Sequence, residues 1–377
     1  MSISGRVALF SVTYDPFVGG AEIALKEVTK GLQSLDFDLY TALLDRSLPR
    51  TQKVGNMTIF RLGSGSFLDK YLYPFRAARE AYKNHQKQPY QAIHAYLATY
   101  AGLAAMLFKR RVKIPYILTM QSGDSDRFLR LRTWFWHPWY KQIYTSADMI
   151  TAISSWLAAR ARRYGYKKEI AIIPNGAALK RFSEPIDPEA RITLRNSWGA
   201  EDTDTVILTV SRLVHKNGVD ILIDAMSDVG DNAVLIIAGD GKDRAKLASL
   251  AKKKGKRIRF AGEVDHDTLP QYYHASNIFA RPSRTEGFGN VFIEAMAAGL
   301  PVVATPVGGI VDFIHDNENG LLAQSEDAKS VAKKINMLVQ NERLRSDFSA
   351  RGKETAAAYS WDCIVEQYGN VYKEVLS

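Results

Sequence analysis

At 377 residues, 46% of them hydrophobic and 24% charged, the chain is too long for one ordinary core and suits two globular domains. A single cysteine, Cys363, excludes an intrachain disulfide, and no secretory signal or apolar run approaches the roughly 20 residues of a membrane span. The expected location is therefore cytoplasmic, at most peripheral to the inner face of a membrane. The net charge of +10 sits wholly in the first half, where residues 1–190 carry 27 Lys and Arg against 15 Asp and Glu; that excess fits an anionic partner and plain solubility equally well.

Short β-rich runs alternate with helical patterns. Strands are expected at Val7–Thr13, Phe37–Leu44, Met57–Leu62, Gln91–Ala95, Tyr116–Met120, Met149–Ile153 and Ile170–Ile173, with helices such as Ala21–Leu35, Leu68–Asn84 and Ser155–Tyr164 between them. Several of these strands are apolar throughout, as in a parallel sheet with helices on both faces. The first runs into S-V-T-Y-D-P-F-V-G-G-A-E, which sets Gly19 and Gly20 before a helix: a close approach to an anionic ligand, or a plain turn. The G-x-G-x-x-G spacing of a dinucleotide site is absent. His94, at another strand end, either lines an acceptor cleft or fills a structural place. Gln121 follows Y-I-L-T-M. Residues 127–141, R-F-L-R-L-R-T-W-F-W-H-P-W-Y-K, interleave cations with aromatics that include Trp134 and Trp136. Such a stretch meets a membrane or a lipid-linked acceptor, or it buries its aromatics and exposes its charges.

Residues 177–204, with E-P-I-D-P and W-G-A-E-D, read as a crossing between domains. Strands resume at Val206–Val210, Val234–Ala238, Ile258–Phe260, Ile278–Ala280 and Val302–Ala304. The fold class is thus α/β, two doubly wound parallel-sheet (Rossmann-like) domains, with ligands outside the carboxyl ends of the strands and the main site in the cleft between domains. Past Val210, S-R-L-V-H-K-N-G brings Arg212 and Lys216 to a strand end, where two cations can clamp a diphosphate. G-D-G after Ala238 places Gly241 in a tight loop. In R-T-E-G-F-G-N-V-F-I-E-A-M, Asn290 is the expected N-cap of a helix Val291–Ala298. Glu286 and Glu294, eight positions apart, suit the acid and base of a glycoside hydrolase, two contacts along one extended ligand, or a cap and a solvated helix residue. No cluster has convincing metal-ligand spacing, and Asp265, His266 and Asp267 read as a solvated turn.

The run R-T-E-G-F-G-N-V-F-I-E-A-M-A-A-G-L-P-V-V-A-T resembles the E-x7-E signature of the GT4 family of retaining glycosyltransferases, which have the GT-B fold. The likeness extends over nearly the whole chain through G-G-A-E, I-P-N-G, S-R-L-V-H-K, I-I-A-G-D-G, F-A-G-E-V, P-V-G-G-I and Y-S-W-D. It implies an acceptor-side domain over 1–185, a nucleotide-sugar domain over 186–355, and a terminal helix in 356–377 crossing back onto the first. By position, Arg212 and Lys216 would hold the donor diphosphate, and Glu286 would contact the donor sugar beside the backbone of Gly287, Phe288 and Gly289. Asn290 and Val291 would offer helix-terminal contacts to phosphate, Glu294 would take ribose hydroxyls, and Val264 would lie by the base. Gly19 and Gly20 would approach the phosphates, with Asn175 and Gly241 completing the donor set. Gln121 stands where many relatives have histidine; it keeps a donor and an acceptor but does not titrate, so a binding role is expected. His94, Trp134 and Trp136 form the expected acceptor side.

The resemblance implies a metal-independent transfer with no cofactor beyond the nucleotide-sugar co-substrate. A hexose or N-acetylhexosamine would pass, with retention, from a UDP-sugar, or next a GDP-mannose, to a glycan or lipid-linked acceptor in cell-envelope or exopolysaccharide biosynthesis. Peripheral contact with anionic membrane is compatible with it. The alternatives are a sugar-nucleotide epimerase or phosphorylase of GT-B type, and a basic nucleic-acid-binding protein, for which no binding motif is present.

Overall fold

The computed structural model describes residues 4–17, 19–66, 68–124, 126–133 and 137–377. Its first sheet contains β1 (Gly5–Phe10), β2 (Leu35–Ala42), β3 (Thr51–Val54), β4 (Met57–Leu62), β5 (Ala92–Tyr96), β6 (Tyr116–Met120), β7 (Met149–Ala152) and β8 (Ile170–Ile172). Their order is β3-β4-β2-β1-β5-β6-β7-β8. Every pair is parallel except β3 with β4, joined by the turn at Gly55 and Asn56. The second sheet contains β9 (Thr205–Val210), β10 (Ala233–Ala238), β11 (Ile258–Gly262), β12 (Ile278–Arg281), β13 (Val302–Ala304) and β14 (Leu321–Leu322), all parallel, in the order β11-β10-β9-β12-β13-β14. β6 and β10 are buried at every position, which requires cover on both faces and explains why neither alternates polar with apolar.

These sheets belong to two units, Met1–Gly176 with Trp361–Ser377, and Ala177–Ser360. The divides fall at 176/177 and 360/361, whereas sequence reading set them at 185/186 and 355/356. The reason is local: Ala177 bridges to Ser360, and the helix Leu179–Ser183 packs on the helix Asn290–Ala297, so both belong to the second unit. The expected crossing at 177–204 contains a capped helix, Pro188–Ser197, whose Asp187 accepts a hydrogen bond from the Glu189 amide. Arg195 on that helix is buried and donates to the carbonyls of Ala275, Glu201 and Asp204.

In the first unit, Val7, Leu9, Leu39 and Ile117 pack with Ile364, Tyr368 and Tyr372 of the C-terminal helix Trp361–Leu376. That helix also lies against the helix Gly20–Gly31. In the second unit, Ile207, Leu235, Ile237 and Ile278 form the center of the core. No helix among the described residues is long and apolar enough to cross a membrane.

Candidate active site

A doubly wound sheet binds ligands where neighboring strands send their following connections in opposite directions. In the second unit that switch lies between β9 and β12, so the loop carrying Arg212 and Lys216 adjoins the loop carrying Glu286. A cavity of about 650 Å³ opens there, lined by Arg212, Lys216, Gly241, Val264, Glu286 and Val291 among the residues expected from sequence. Asn217, Asp240, Glu263 and Arg281 also line it.

Arg281, the last residue of β12, is 8% exposed and pairs with the Glu286 carboxylate. It also donates to Asn217 Oδ1 at 3.0 Å, and Asn217 Nδ2 donates to the Arg212 carbonyl at 2.7 Å. A chain of side chains thus ties the two loops together. The second Glu286 oxygen accepts from the Gly287 amide at 2.9 Å. From the other side Gly308, at φ 58°, backs the Glu286 loop so closely that an added Cβ would fall 1.7 Å from the Glu286 carbonyl oxygen. Sequence reading missed Arg281, Asn217 and Gly308 as site residues. Ending the strand at Ala280 left Arg281 uncounted, although it stands at the strand end where ligand-facing groups are sought.

Glu294 differs from Glu286. It lies on the helix Asn290–Ala297, does not belong to the cavity lining, is 8% exposed, and accepts a hydrogen bond from Tyr273 Oη at 2.9 Å. Burial pushes its carboxyl up to about 7, against the opposing effects of Tyr273, Arg281 and Arg181. The expected N-cap is corrected: Gly289, at φ 105°, takes the cap position and Asn290 is the first helical residue. Phe288 is 2% exposed and packs on Phe313 and Tyr359, at centroid distances of 5.0 and 5.4 Å, so only its backbone is left to face a ligand. Gly287, Gly289 and Asn290 do not belong to the lining either.

In the first unit the switch lies between β1 and β5, and the expected residues lie at that edge of the sheet. Gly19 caps and Gly20 opens the helix after β1, and a Cβ on Gly20 would come 3.6 Å from Asn175 Nδ2. Gln121 follows β6; its amide lies beside the Tyr368 hydroxyl, yet both amide atoms are buried and close no well-formed hydrogen bond among the described residues. His94 does not line a cleft. It is fully buried, with Nδ1 2.7 Å from Tyr372 Oη and Nε2 2.7 Å from Thr119 Oγ1, and burial lowers its pKa to about 3. Its register on β5 carries the imidazole to the C-terminal helix, a partner that the strand-end rule does not reveal. Trp134 and Trp136 lie outside the described residues. Of their neighbors, Tyr140 is buried against Tyr144 and Tyr164, while Trp139 is exposed.

Asp267 and His266 are engaged by Arg181, which donates to the His266 carbonyl and pairs with Asp267, both at 2.5 Å.

Residues 190–355 match the family model described as Glycosyl transferases group 1, and residues 18–181 match Glycosyltransferase Family 4. An uncharacterized glycosyltransferase of Methanocaldococcus jannaschii is 28% identical over 374 residues, 98% of each chain. A GDP-mannose-dependent monoacylated alpha-(1-6)-phosphatidylinositol monomannoside mannosyltransferase of Corynebacterium glutamicum is 31% identical over 243 residues, 61% of this chain and 63% of that one. Among solved structures, sucrose-phosphate synthase from Thermosynechococcus elongatus matches with a TM-score of 0.86 at 25% identity, covering 98% of both chains. With both halves matched by glycosyltransferase models and two parallel-sheet domains of GT-B class, the chain belongs to the GT4-type glycosyltransferases and is a hexosyltransferase.

Proposed function

We propose that the cavity at the β9–β12 switch binds a nucleoside diphosphate sugar and that the enzyme transfers its hexose or N-acetylhexosamine, with retention and without a metal, to a glycan or lipid-linked hydroxyl. The observation that carries this reading is the pairing of two cations on one loop with an Arg281-held carboxylate on the next, around one cavity. Arg212 and Lys216 face the diphosphate. As the bond from the anomeric carbon to phosphate oxygen breaks, the electron pair leaves with the nucleoside diphosphate, and preorganized cations lower that charge's energy without reorganizing. The acceptor oxygen bonds the anomeric carbon on the face just vacated, and its proton passes to the departing phosphate oxygen. Glu286, with both oxygens already accepting, keeps lone pairs for sugar hydroxyls.

Glu294 serves the ribose, Val264 the base, and Gly241, Asn290 and Val291 the phosphate region, while the backbone of Gly287, Phe288 and Gly289 flanks the sugar. Gly19, Gly20 and Asn175 are further donor contacts by their positions in the G-G-A-E and I-P-N-G motifs. Gln121, whose buried amide has unspent hydrogen-bonding capacity, takes a sugar hydroxyl. A UDP-sugar is the first donor to test and GDP-mannose the second; the Corynebacterium relative is named for GDP-mannose and a phosphatidylinositol acceptor. Envelope or exopolysaccharide biosynthesis and a peripheral contact with anionic membrane belong to the same reading.

Thermal shifts with UDP, GDP, ADP and their sugars test it, since a ligand bound only by the native state raises apparent stability. The donor so found should support turnover in EDTA and give a product of unchanged anomeric configuration by NMR. Glu286→Gln should chiefly lower kcat, and Glu294→Gln should chiefly weaken donor binding. No shift with any nucleotide, or inversion at the anomeric carbon, defeats the proposal.

A further inference from the structure

The helix Asp69–Lys87 buries one face in the first unit through Tyr73, Ala77 and Ala81, each 0% exposed. Its other face opens with four large apolar side chains in water: Leu68 at 61% exposure, Tyr71 at 39%, Leu72 at 43% and Phe75 at 55%. Positions 68, 71, 72 and 75 have the i, i+3, i+4, i+7 spacing of a single stripe. Along the same stripe the exposed Arg79 and Lys83 follow, about 6 and 12 Å beyond Phe75 at 1.5 Å per residue. The stripe therefore runs from an apolar tip to a cationic shaft.

Charge around the tip has one dominant sign. Residues 69–87 hold five Lys and Arg against Asp69 and Glu80. Asp69 is buried and paired with Arg76, and Glu80 pairs with Lys83 at 3.0 Å. Lys70 Nζ lies 4.9 Å from the Tyr71 ring center, at the rim of the apolar patch. Location adds a second constraint. The helix begins seven residues after β4 ends, at the carboxyl edge of the first sheet, and Tyr71 meets the ring of Tyr100, which opens the helix after β5. This is the edge that also carries Gly19, Gly20 and Gln121.

We infer that this stripe docks the enzyme on an anionic lipid bilayer. Leu68, Leu72 and Phe75 enter the boundary between headgroups and acyl chains, and Lys70, Arg76 and Arg79 meet lipid phosphates. A protein groove would accommodate the apolar tip alone. The apolar tip followed by a cationic shaft, on the half of the chain that holds the positive excess, complements a charged membrane surface. This surface is an alternative to residues 127–141 as the membrane contact, and it rests on the reading of a membrane-side acceptor only for its purpose.

The test uses the full chain and vesicles of phosphatidylcholine, with or without phosphatidylglycerol, and no glycolipid acceptor. The chain should cosediment with the anionic vesicles at low salt and be released as salt rises. Leu72→Glu with Phe75→Glu should lower the partition coefficient by on the order of tenfold or more, and Arg79→Glu by about fivefold at low salt. Leu72→Ser with Phe75→Ser repeats the first test without new charge. Circular dichroism and the nucleotide-induced thermal shift, read from the second unit, report that each variant is folded. Three results overturn the inference: no retention of the parent chain on anionic vesicles, unchanged retention of both double variants, or a lipid-free dimer that the same substitutions dissociate. Equal loss of retention with Leu131→Glu and Trp139→Glu, but not with the Leu72 and Phe75 pairs, returns the contact to residues 127–141. Absence of vesicle binding by the parent chain with an intact nucleotide response refutes this surface alone, and vesicle binding by the parent chain without any nucleotide response refutes the donor reading alone.

Discussion

Glu294 makes the enzyme's stability depend on pH in an unusual direction. Its carboxyl has an ordinary value of 4.5 and is pushed to about 7 in the folded protein. Between those values the native state holds a proton that the unfolded chain has released, so stability is greatest on the acid side and falls as pH rises toward and through 7. At 1.36 kcal/mol per pKa unit the full penalty is roughly 3 kcal/mol, most of which develops between pH 5 and 8. Glu294→Gln removes the titration but keeps an oxygen to accept from Tyr273 Oη. The variant should match the parent more closely near pH 5 and gain on it by roughly 2 to 3 kcal/mol by pH 8. Urea denaturation of both proteins across that range reads the difference directly, because every other titrating group cancels. A flat difference, or a parent that gains on the variant as pH rises, refutes the reasoning.

The other expectations follow from contacts already described. Arg281→Lys keeps the charge but loses the fork shared between Asn217 and Glu286; kcat should fall by roughly 10- to 100-fold with a smaller change in KM, matching the loss of one charge-assisted hydrogen bond worth about 1.5–3 kcal/mol. Gly308→Ala should cost about 1–2 kcal/mol in backbone strain alone and depress turnover further by displacing the Glu286 loop, measured by denaturation alongside steady-state kinetics. His94→Gln should leave nucleotide thermal shifts intact. Because the folded imidazole protonates only near pH 3, against an ordinary 6.5, the parent loses stability as pH falls below 6.5, by about 2 kcal/mol at pH 5, and the variant should not show that loss in acid denaturation curves.

The central strands, such as β6 and β10, were legible because they are buried on both faces, so burial appears in the sequence as nearly unbroken apolar runs. β3 escaped for the opposite reason: T-Q-K-V is exposed at every position on an edge, and it pairs only through a tight turn. The helix Pro188–Ser197 was hidden by its own start signals, since Asp187 and Pro188 serve equally as a linker and as an N-cap with proline in the first turn. Looking just past each strand brought Arg212, Lys216, Gly241, Val264 and Glu286 to one cavity. His94 shows where that rule fails, because it gives a position along the strand but not the partner across the core. Asn217 and Gly308 act through contacts between loops distant in sequence, which no local pattern contains, whereas Arg281 stands at a strand end and was missed by ending that strand at Ala280.

The same distinction decides what the two glutamates are. A hydrolytic pair requires two carboxyl groups flanking one bond in one cavity. Here Glu286 lines the cavity as the partner of Arg281, while Glu294 sits behind the lining under Tyr273 with a raised pKa. Their environments differ as well as their positions: Glu286 is held in an ion pair by Arg281, whereas burial pushes the Glu294 carboxyl up to about 7. When protonated, Glu294 can donate to an acceptor as well as receive from a hydroxyl, whereas both Glu286 oxygens already accept, from Arg281 and from the Gly287 amide. That division suits one ligand with a hydroxyl-rich sugar at one end and a ribose at the other. On the proposed reading the helix start between them is left for the phosphates, with Arg212 and Lys216 on the neighboring loop lining the same cavity.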